Sequence, residues 1–223
     1  MDLALRVHDY LAMNVKYVND GSPEQQSMMG PLLLGKGVCE GIAFTYSYIM
    51  GVFGVNCSTV YGQLKGHIDG HAWNILFLGG RAYHVDVTHD LAGDNPMCLH
   101  LHMNQTDEEM RVDRSWYFPV KCDDTLYNYY EYTGSQMTTF KEVCDYLHDC
   151  IEADQKVVEF RIRPAPPSDA VFKKIDEYIS SITDSASYRW YRVEDVYCIV
   201  FESVHFRRSS GSFRKGLKKL LNT

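Results

Sequence analysis

The sequence lacks the features of several classes of protein. None of its apolar runs reaches the ~18–20 residues that a membrane-spanning helix needs. The opening residues, MDLALRVHDY, lack the basic start and the apolar stretch of a secretory signal peptide. We therefore expect a cytoplasmic protein without a membrane partner, unless the chain is a domain of a longer, exported protein.

Positive charge is also scarce. The chain has 22 Lys and Arg against 29 Asp and Glu, which gives a formal net charge of −7 at pH 7. Because an acidic chain is a poor candidate for general nucleic-acid binding, we expect no nucleic-acid partner. A local exception is the C-terminus, where most such basic tails are simply solvated. Its basic residues are Arg207, Arg208, Arg214, Lys215, Lys218 and Lys219.

The cysteines show no paired spacing. There are seven, an odd number, and no two of them form a C-x-x-C motif. This pattern argues against a zinc ribbon and favours reduced thiols in a reducing compartment. The positions are 39, 57, 98, 122, 144, 150 and 198.

The pattern of apolar residues predicts an α+β protein. The 223 residues are 45% hydrophobic and 23% charged, a composition typical of soluble globular proteins. A fresh strand–helix–strand pattern begins after residue 150, so we predict one domain over 1–150 and a small α+β extension of unknown role over 151–223. The predicted helices span 2–18, about 39–53, 139–152 and 169–181, and the predicted strands span 55–61, 71–78, 81–88, 157–163, 187–193 and 196–206.

Cys39 is a candidate nucleophile because of its position. It follows the glycine-bracketed loop Gly35-Lys36-Gly37 and stands where the next helix should begin. The free N–H groups and the positive dipole end of a helix N-terminus favour a thiolate and can hold an oxyanion. Taken alone, a cysteine at a helix start is more often a small buried filler, so both interpretations stay open.

A predicted hairpin places a histidine near an aspartate. With Gly79-Gly80 as its two-residue loop, residue 78 faces 81, residue 76 faces 83 and residue 71 faces 88. His71 and Asp86 then lie on one face as diagonal neighbours, close enough for an imidazole and a carboxylate to meet. Asp86 could orient His71, although an ordinary cross-strand pair on a solvated face is equally compatible with the spacing.

Three segments around these residues resemble the transglutaminase-like superfamily of cysteine enzymes. They are GKGVCEGIA at 35–43, GHAWN at 70–74 and YHVDVTHD at 83–90, and they occur in that family's order. The segment HMNQTDEEM at 102–110 also resembles bacterial members. The resemblance covers roughly the first 115 residues. It implies a papain-like or transglutaminase-like core, in which a helix bearing the cysteine packs on an antiparallel sheet bearing the histidine and the aspartate.

The resemblance also implies a mechanism, although the sequence departs from the family pattern at some positions. Cys39 would attack a carbonyl carbon, His71 would transfer the proton and Asp86 would orient His71, giving acyl transfer from peptide or protein amides through a thioester. The family often has a proline and an aromatic residue after the aspartate, whereas this chain has Val87-Thr88-His89. The paired-cysteine zinc site of the deglycosylating relatives is absent from the sequence.

Three alternatives to hydrolysis of the thioester remain open at this stage. We favour hydrolysis of the thioester over protein cross-linking, because nothing in the sequence shows a shield against water. A non-catalytic interaction module on the same fold is the second alternative, since a fold does not fix a function. A metal site is the third, but the neighbouring histidines have no firm ligand spacing, so we predict neither a metal nor another cofactor. Those histidines are His67, His71, His84, His89, His100 and His102.

Overall fold

The structure is a computed structural model that describes residues 1–94, 97, 99–165 and 168–206. Among these residues, no helix is long and apolar enough to cross a membrane. The predicted basic tail and Cys98 lie outside the described residues, as do residues 166 and 167 between the predicted strand 157–163 and the predicted helix 169–181. The helices and antiparallel sheets confirm the predicted α+β class.

The chain divides into two compact units, Met1–Tyr132 and Thr133–Thr223. This division differs from the one predicted at residue 150. It falls earlier because the helix Phe140–Glu152 buries its apolar face in the second unit, where Val143 and Leu147 are part of the core. Sequence spacing identified this helix but not the core to which its buried face belongs.

The first unit contains helices packed on a five-stranded sheet. The sheet has the order β6-β5-β4-β3-β7, and its neighbouring strands are antiparallel. A parallel pair, β1-β2, forms a second, small sheet. The elements are α1 (Asp2–Asn14), β1 (Lys16–Tyr17), a 3₁₀ turn (Pro23–Gln26), a π turn (Gly30–Leu34), β2 (Lys36–Gly37), α2 (Cys39–Val52), β3 (Cys57–Leu64), β4 (Gly70–Leu78), β5 (Arg81–Val85), β6 (Met103–Gln105), α3 (Asp107–Met110) and β7 (Arg114–Trp116), with α4 (Tyr129–Thr133) at the division.

Helix α2 begins at Cys39, as the sequence predicts. Val38 is extended, with φ −96° and ψ 175°, so the helix cannot continue backward through it. Ile42, Tyr46 and Met50, which are spaced about one helical turn apart, are fully buried in the core shared with α1 and the sheet. Phe53, the last residue of the predicted helix, is 60% exposed because it follows the last helical residue and lies outside the buried face.

The hairpin between β4 and β5 has the predicted register. Leu78 pairs with Arg81 and Leu76 with Tyr83, and both glycines of the loop have positive φ, as a tight two-residue turn requires. The second strand is shorter than predicted, since β5 ends at Val85 and not at residue 88. The predicted pairing of residue 71 with residue 88 is therefore absent from the ladder between these described strands.

The second unit is a four-stranded sheet with two helices. The sheet order is β10-β11-β9-β8, in which β8 and β9 are parallel and the other pairs antiparallel. Its core is largely apolar, and Phe160, Ile175 and Ile199 are fully buried in it. The elements are β8 (Gln136–Met137), α5 (Phe140–Glu152), β9 (Val157–Ile162), α6 (Ser168–Ile182), β10 (Thr183–Val193) and β11 (Val196–Phe206).

The close contact of α2 with the 3₁₀ turn yields a stability prediction. A Cβ atom added at Gly41 would lie 2.4 Å from the Gln25 carbonyl oxygen and 2.9 Å from that of Ser27, whereas one added at Gly51 would meet nothing within 4 Å. We expect Gly41→Ala to lower the free energy of unfolding by about 1–3 kcal/mol, since backbone atoms cannot yield as a flexible side chain can. Gly51→Ala, in the same helix, should be neutral or stabilising by up to ~1 kcal/mol.

Urea unfolding followed by circular dichroism checks this pair of variants. Equal midpoints for Gly41→Ala and Gly51→Ala would contradict the close packing of the helix start against the turn.

Candidate functional site

The thiol of Cys39 lies at the N-terminus of α2 and receives several hydrogen bonds. Its sulfur is hydrogen-bonded to the imidazole of His71 and to the backbone N–H groups of Ala72 and Glu40. The residue is half-buried, so its thiol remains accessible from a cleft. Helix α2 thus presents the cysteine to strand β4, which carries both His71 and Ala72.

These contacts favour the thiolate form of Cys39. Burial by itself raises the pKa of the thiol, but the hydrogen bond with His71 and those from Ala72 and Glu40 outweigh it and lower the pKa below its usual value. Cys57 is a contrast within the same unit, since burial raises its pKa to about 12. The pKa values of these two thiols are thus shifted in opposite directions, so burial alone does not explain the lowered pKa of Cys39.

His71 connects the thiol to a buried carboxylate. Its Nε2 lies 2.7 Å from Oδ2 of Asp86, and both side chains are almost fully buried. Because Nε2 faces the carboxylate, the other ring nitrogen, Nδ1, is the one left to face Cys39. The structure thus brings together the three residues that the sequence singled out, while their catalytic roles remain predictions.

The pKa values of His71 and Asp86 indicate an ion pair. Burial opposes the charge on His71, but the Asp86 carboxylate and the contact with Cys39 outweigh it and raise the pKa of His71 to about 9. Burial also disfavours the charged form of Asp86, yet the charge and hydrogen bond of His71, together with the charge of Arg114, hold its pKa well below the usual range. Near neutral pH, His71 is therefore an imidazolium next to a carboxylate.

The end of β5 determines where Asp86 points. Its backbone N–H donates to the His102 carbonyl at 3.0 Å, and a turn follows in which the His89 N–H donates to the Asp86 carbonyl at 3.2 Å. The carboxylate thus reaches His71 from just beyond the last ladder pair, Asn74 with Val85. The two side chains meet as the register predicted, although the strand itself stops one residue before the aspartate.

Sequence reasoning missed Arg114, which lies on the other side of Asp86. Its guanidinium is buried, and Nη1 donates to Asp86 Oδ2 at 2.5 Å, the oxygen that also accepts from His71. Its Nε donates to Asp113 at 2.8 Å, and its Nη2 lies 3.1 Å from Nδ1 of His89. No local motif marks Arg114, because it reaches the site through the pairing of β7 with β3.

His89 is the residue that stands where relatives often have an aromatic side chain. Its ring stacks on that of His71, with centroids 4.7 Å apart and planes at 21°. Burial and the nearby positive groups lower the pKa of His89, although Asp86 opposes this effect. A neutral imidazole here replaces an aromatic ring as the flat support of His71. The departure from the family pattern already marks this position in the sequence.

A cleft lies above Cys39. Its volume is about 270 Å³, and Cys39 and His71 both line it. Tyr61, Glu40 and Gln26 also line the cleft, and the Tyr61 hydroxyl donates to Glu40 at 2.8 Å. The remaining lining residues are Val38, Gly62, Gly70 and Ala72.

The shared carboxylate oxygen of Asp86 predicts opposite effects of two substitutions. Asp86→Asn removes the anion and should lower the pKa of His71 from about 9 toward the usual 6.5. Arg114→Gln removes a cation that competes for the same oxygen, and should raise the pKa of His71 by about one unit. The ring-proton chemical shift of His71, followed by NMR against pH, measures both changes.

Arg81→Gln is the control, because Arg81 pairs with Asp124 at a surface position and should leave the titration of His71 unchanged. A shift of the same sign in Asp86→Asn and Arg114→Gln would refute the competition between Arg114 and His71.

Part of the first unit is similar to known proteins. Residues 1–87 match the family model of the transglutaminase-like superfamily, a range that includes Cys39, His71 and Asp86. None of the curated proteins compared with the chain matches it. Among solved structures, the chain is similar to a candidate cysteine protease from Cytophaga hutchinsonii, with 22% identity and a TM-score of 0.35 over 38% of this chain and 30% of that one. Residues 1–87 of the first unit therefore resemble a transglutaminase-like domain.

Proposed function

We propose that this chain is a cysteine-dependent enzyme that transfers the acyl group of a peptide or protein amide through a thioester on Cys39. The observation that carries the proposal is the hydrogen-bonded series Cys39–His71–Asp86 at a helix N-terminus that opens on a cleft. A nucleophile beside a base that is itself oriented by a third group is the general signature of nucleophilic catalysis. Enzymes of this superfamily are typically cysteine proteases or acyltransferases, which supports the same reaction class.

The first half of the proposed reaction uses the ion pair as it stands. The Cys39 thiolate adds to the carbonyl carbon, and the resulting oxyanion accepts hydrogen bonds from N–H groups at the start of α2. The imidazolium of His71 then donates its proton to the leaving amine, the C–N bond breaks and a thioester remains. Asp86 holds the ring in place and stabilises its charged form throughout.

The second half resolves the thioester. Neutral His71 takes a proton from water, the resulting hydroxide adds to the thioester carbon, and the C–S bond breaks to release a carboxylic acid and the thiolate. We favour water over an amine as acceptor because Cys39 is half-buried in an open cleft, which lets solvent reach the thioester. Protein cross-linking is the alternative outcome, and it requires an amine that reaches the thioester before water does.

Turnover by Cys39 is the direct test of this proposal. Peptide amides presented with and without an amine donor should yield free acid and, in smaller amount, the amine adduct, as measured by mass spectrometry. Cys39→Ala should abolish both products, whereas Cys57→Ala should leave them unchanged because the Cys57 thiol stays protonated. Predominance of the amine adduct would favour cross-linking over hydrolysis.

Absence of both products with a folded native chain would favour the remaining alternative, a non-catalytic interaction module. The labelling experiment that follows separates a reactive thiol without a known substrate from an inert one.

The pH dependence of Cys39 alkylation tests the ion pair without a substrate. A thiol whose pKa is lowered should react with iodoacetamide well below pH 8.5, the ordinary pKa of a free thiol. His71→Ala should move the labelling profile to higher pH, because the positive partner is lost. On the alkaline side, turnover should fall as the pH rises through about 9, since His71 then loses the proton that the leaving amine needs.

Labelling is measured by peptide mass spectrometry, with the described cysteines Cys57 and Cys122 as internal references whose pKa values burial raises to about 12. A Cys39 profile that coincides with theirs and ignores His71→Ala would show that the site holds no ion pair.

A further inference from the structure

A second cluster of ionisable side chains lies in the first unit, away from Cys39. His8 and Asp9 are neighbours on α1, and His100 belongs to the segment that precedes β6. Nδ1 of His8 lies 3.0 Å from Asp9 Oδ1, and Nε2 of His100 lies 2.9 Å from the same oxygen. All three ligand atoms are within 4.8 Å of one another. We call these three residues the α1 cluster.

The α1 cluster differs from a similar group around His84. There, His84, Asp107 and Cys122 also bring their ligand atoms within 4.8 Å. The Trp73 indole N–H donates to Nδ1 of His84 at 3.0 Å, so the proton of the neutral ring must be on Nε2, which faces Asp107 at 2.8 Å. The nitrogen that would bind a metal is thus occupied by its own proton.

Two further groups that contain His89 are also unsuited to a cation. One joins His89 to His71 and Asp86, and the other joins it to His102 and Asp113. The guanidinium of Arg114 contacts His89, Asp86 and Asp113. A fixed positive charge at that place repels a metal ion and already satisfies the carboxylates.

The α1 cluster has an orienting carboxylate behind its buried histidine. Nε2 of His8 lies 3.1 Å from Oδ2 of Asp90, and both side chains are fully buried. Asp90 is itself held by the backbone N–H of His102 at 2.9 Å and by the ring of His102 at 2.9 Å. A histidine that donates one N–H to a buried carboxylate presents its other nitrogen as a ligand, the usual arrangement around protein-bound metals.

The contact between His8 and Asp9 requires a positive charge. With the Nε2 proton directed at Asp90, the lone pair of Nδ1 would face a carboxylate oxygen, which is repulsive unless a proton or a metal ion lies between them. Oδ1 of Asp9 lies 2.9–3.0 Å from each of the two imidazole nitrogens, somewhat less than the ~3.3 Å that separates ligands around a tetrahedral ion with ~2.0 Å bonds. A small outward movement of Asp9, whose side chain is 40% exposed, would make the room.

We propose that His8, Asp9 and His100 bind one divalent transition-metal ion of the Zn²⁺ type, with Asp90 orienting His8. Two imidazoles and one carboxylate are a donor set that Zn²⁺ and neighbouring first-row ions accept. The exposed side of Asp9 gives the ion an entry path and leaves its remaining positions to water. The ion would connect α1 to the segment before β6. In that segment, the carbonyl of His102 accepts a hydrogen bond from the backbone N–H of Asp86.

The test measures binding of Zn²⁺ and Co²⁺ to the full chain. After treatment with a chelator and its removal, isothermal titration of Zn²⁺ into the Cys39→Ala variant should give one site per chain; this variant removes the reactive thiol as a competitor. Co²⁺ at the same site should show d–d absorption bands without the near-ultraviolet band of a thiolate ligand, since the proposed ligands contain no sulfur.

Matched variants locate the ion. Asp9→Asn changes a partly exposed position and His100→Gln a buried one, and each should weaken Zn²⁺ binding by about 10–100-fold or more, as loss of metal-site contacts does. His84→Gln alters another buried histidine that contacts an aspartate and should leave the Zn²⁺ affinity unchanged. Circular dichroism confirms that each variant is folded before the titration.

Two outcomes overturn the proposal. The first is a folded native chain that binds neither ion, in which case a proton on His8 supplies the positive charge. The second is binding that His100→Gln and Asp9→Asn leave unchanged, which would place the ion on other residues.

Discussion

The first unit depends on one buried carboxylate, that of Asp86. A fully buried anion is costly unless partners compensate its charge, and a single oxygen of Asp86 accepts from both His71 and Arg114. These partners come from different parts of the chain, since His71 lies on a central strand and Arg114 on the edge strand β7. Because both partners must reach the same carboxylate oxygen, the position of β4 and the position of β7 depend on each other. A sheet that pairs otherwise would leave at least one charge buried without its partner.

The same carboxylate determines the state of the thiol. Because Asp86 keeps His71 charged, His71 can stabilise the Cys39 thiolate, and the start of α2 contributes its free N–H groups. The helix must approach β4 closely for this contact. Gly41 allows it on one side, where the carbonyl oxygens of Gln25 and Ser27 leave no space for a Cβ atom. On the other side, the Asn74 amide of β4 donates to the Ala43 carbonyl of α2 at 3.0 Å. Close packing and electrostatic interactions thus both hold α2 against β4.

Much of this arrangement could be predicted from the sequence because it depends on local signals. Periodicity located the major helices and strands, and the glycine pair fixed a register that placed His71 near Asp86. The contact of Cys39 with His71 could not be derived from spacing, since it depends on how a helix packs on a sheet. Arg114 could not be found for a related reason, because β7 is only three residues long and reaches the site by pairing with a distant strand. The unit division was also inaccessible, as it depends on which core receives the apolar face of α5.

Histidine–aspartate pairs recur in the interior of the first unit. The imidazoles of three of these pairs have different surroundings. His84 accepts a hydrogen bond from the indole N–H of Trp73 and remains neutral, as the lowered pKa that burial produces also indicates. His71 faces a carboxylate on one side and a thiol on the other, so it can hold a proton and later release it. His8 faces carboxylates on both sides, so it requires a second positive charge besides its own Nε2 proton. The amino-acid pair is the same in each case, but the third neighbour of the imidazole differs: it is an indole N–H at His84, a thiol at His71 and a second carboxylate at His8.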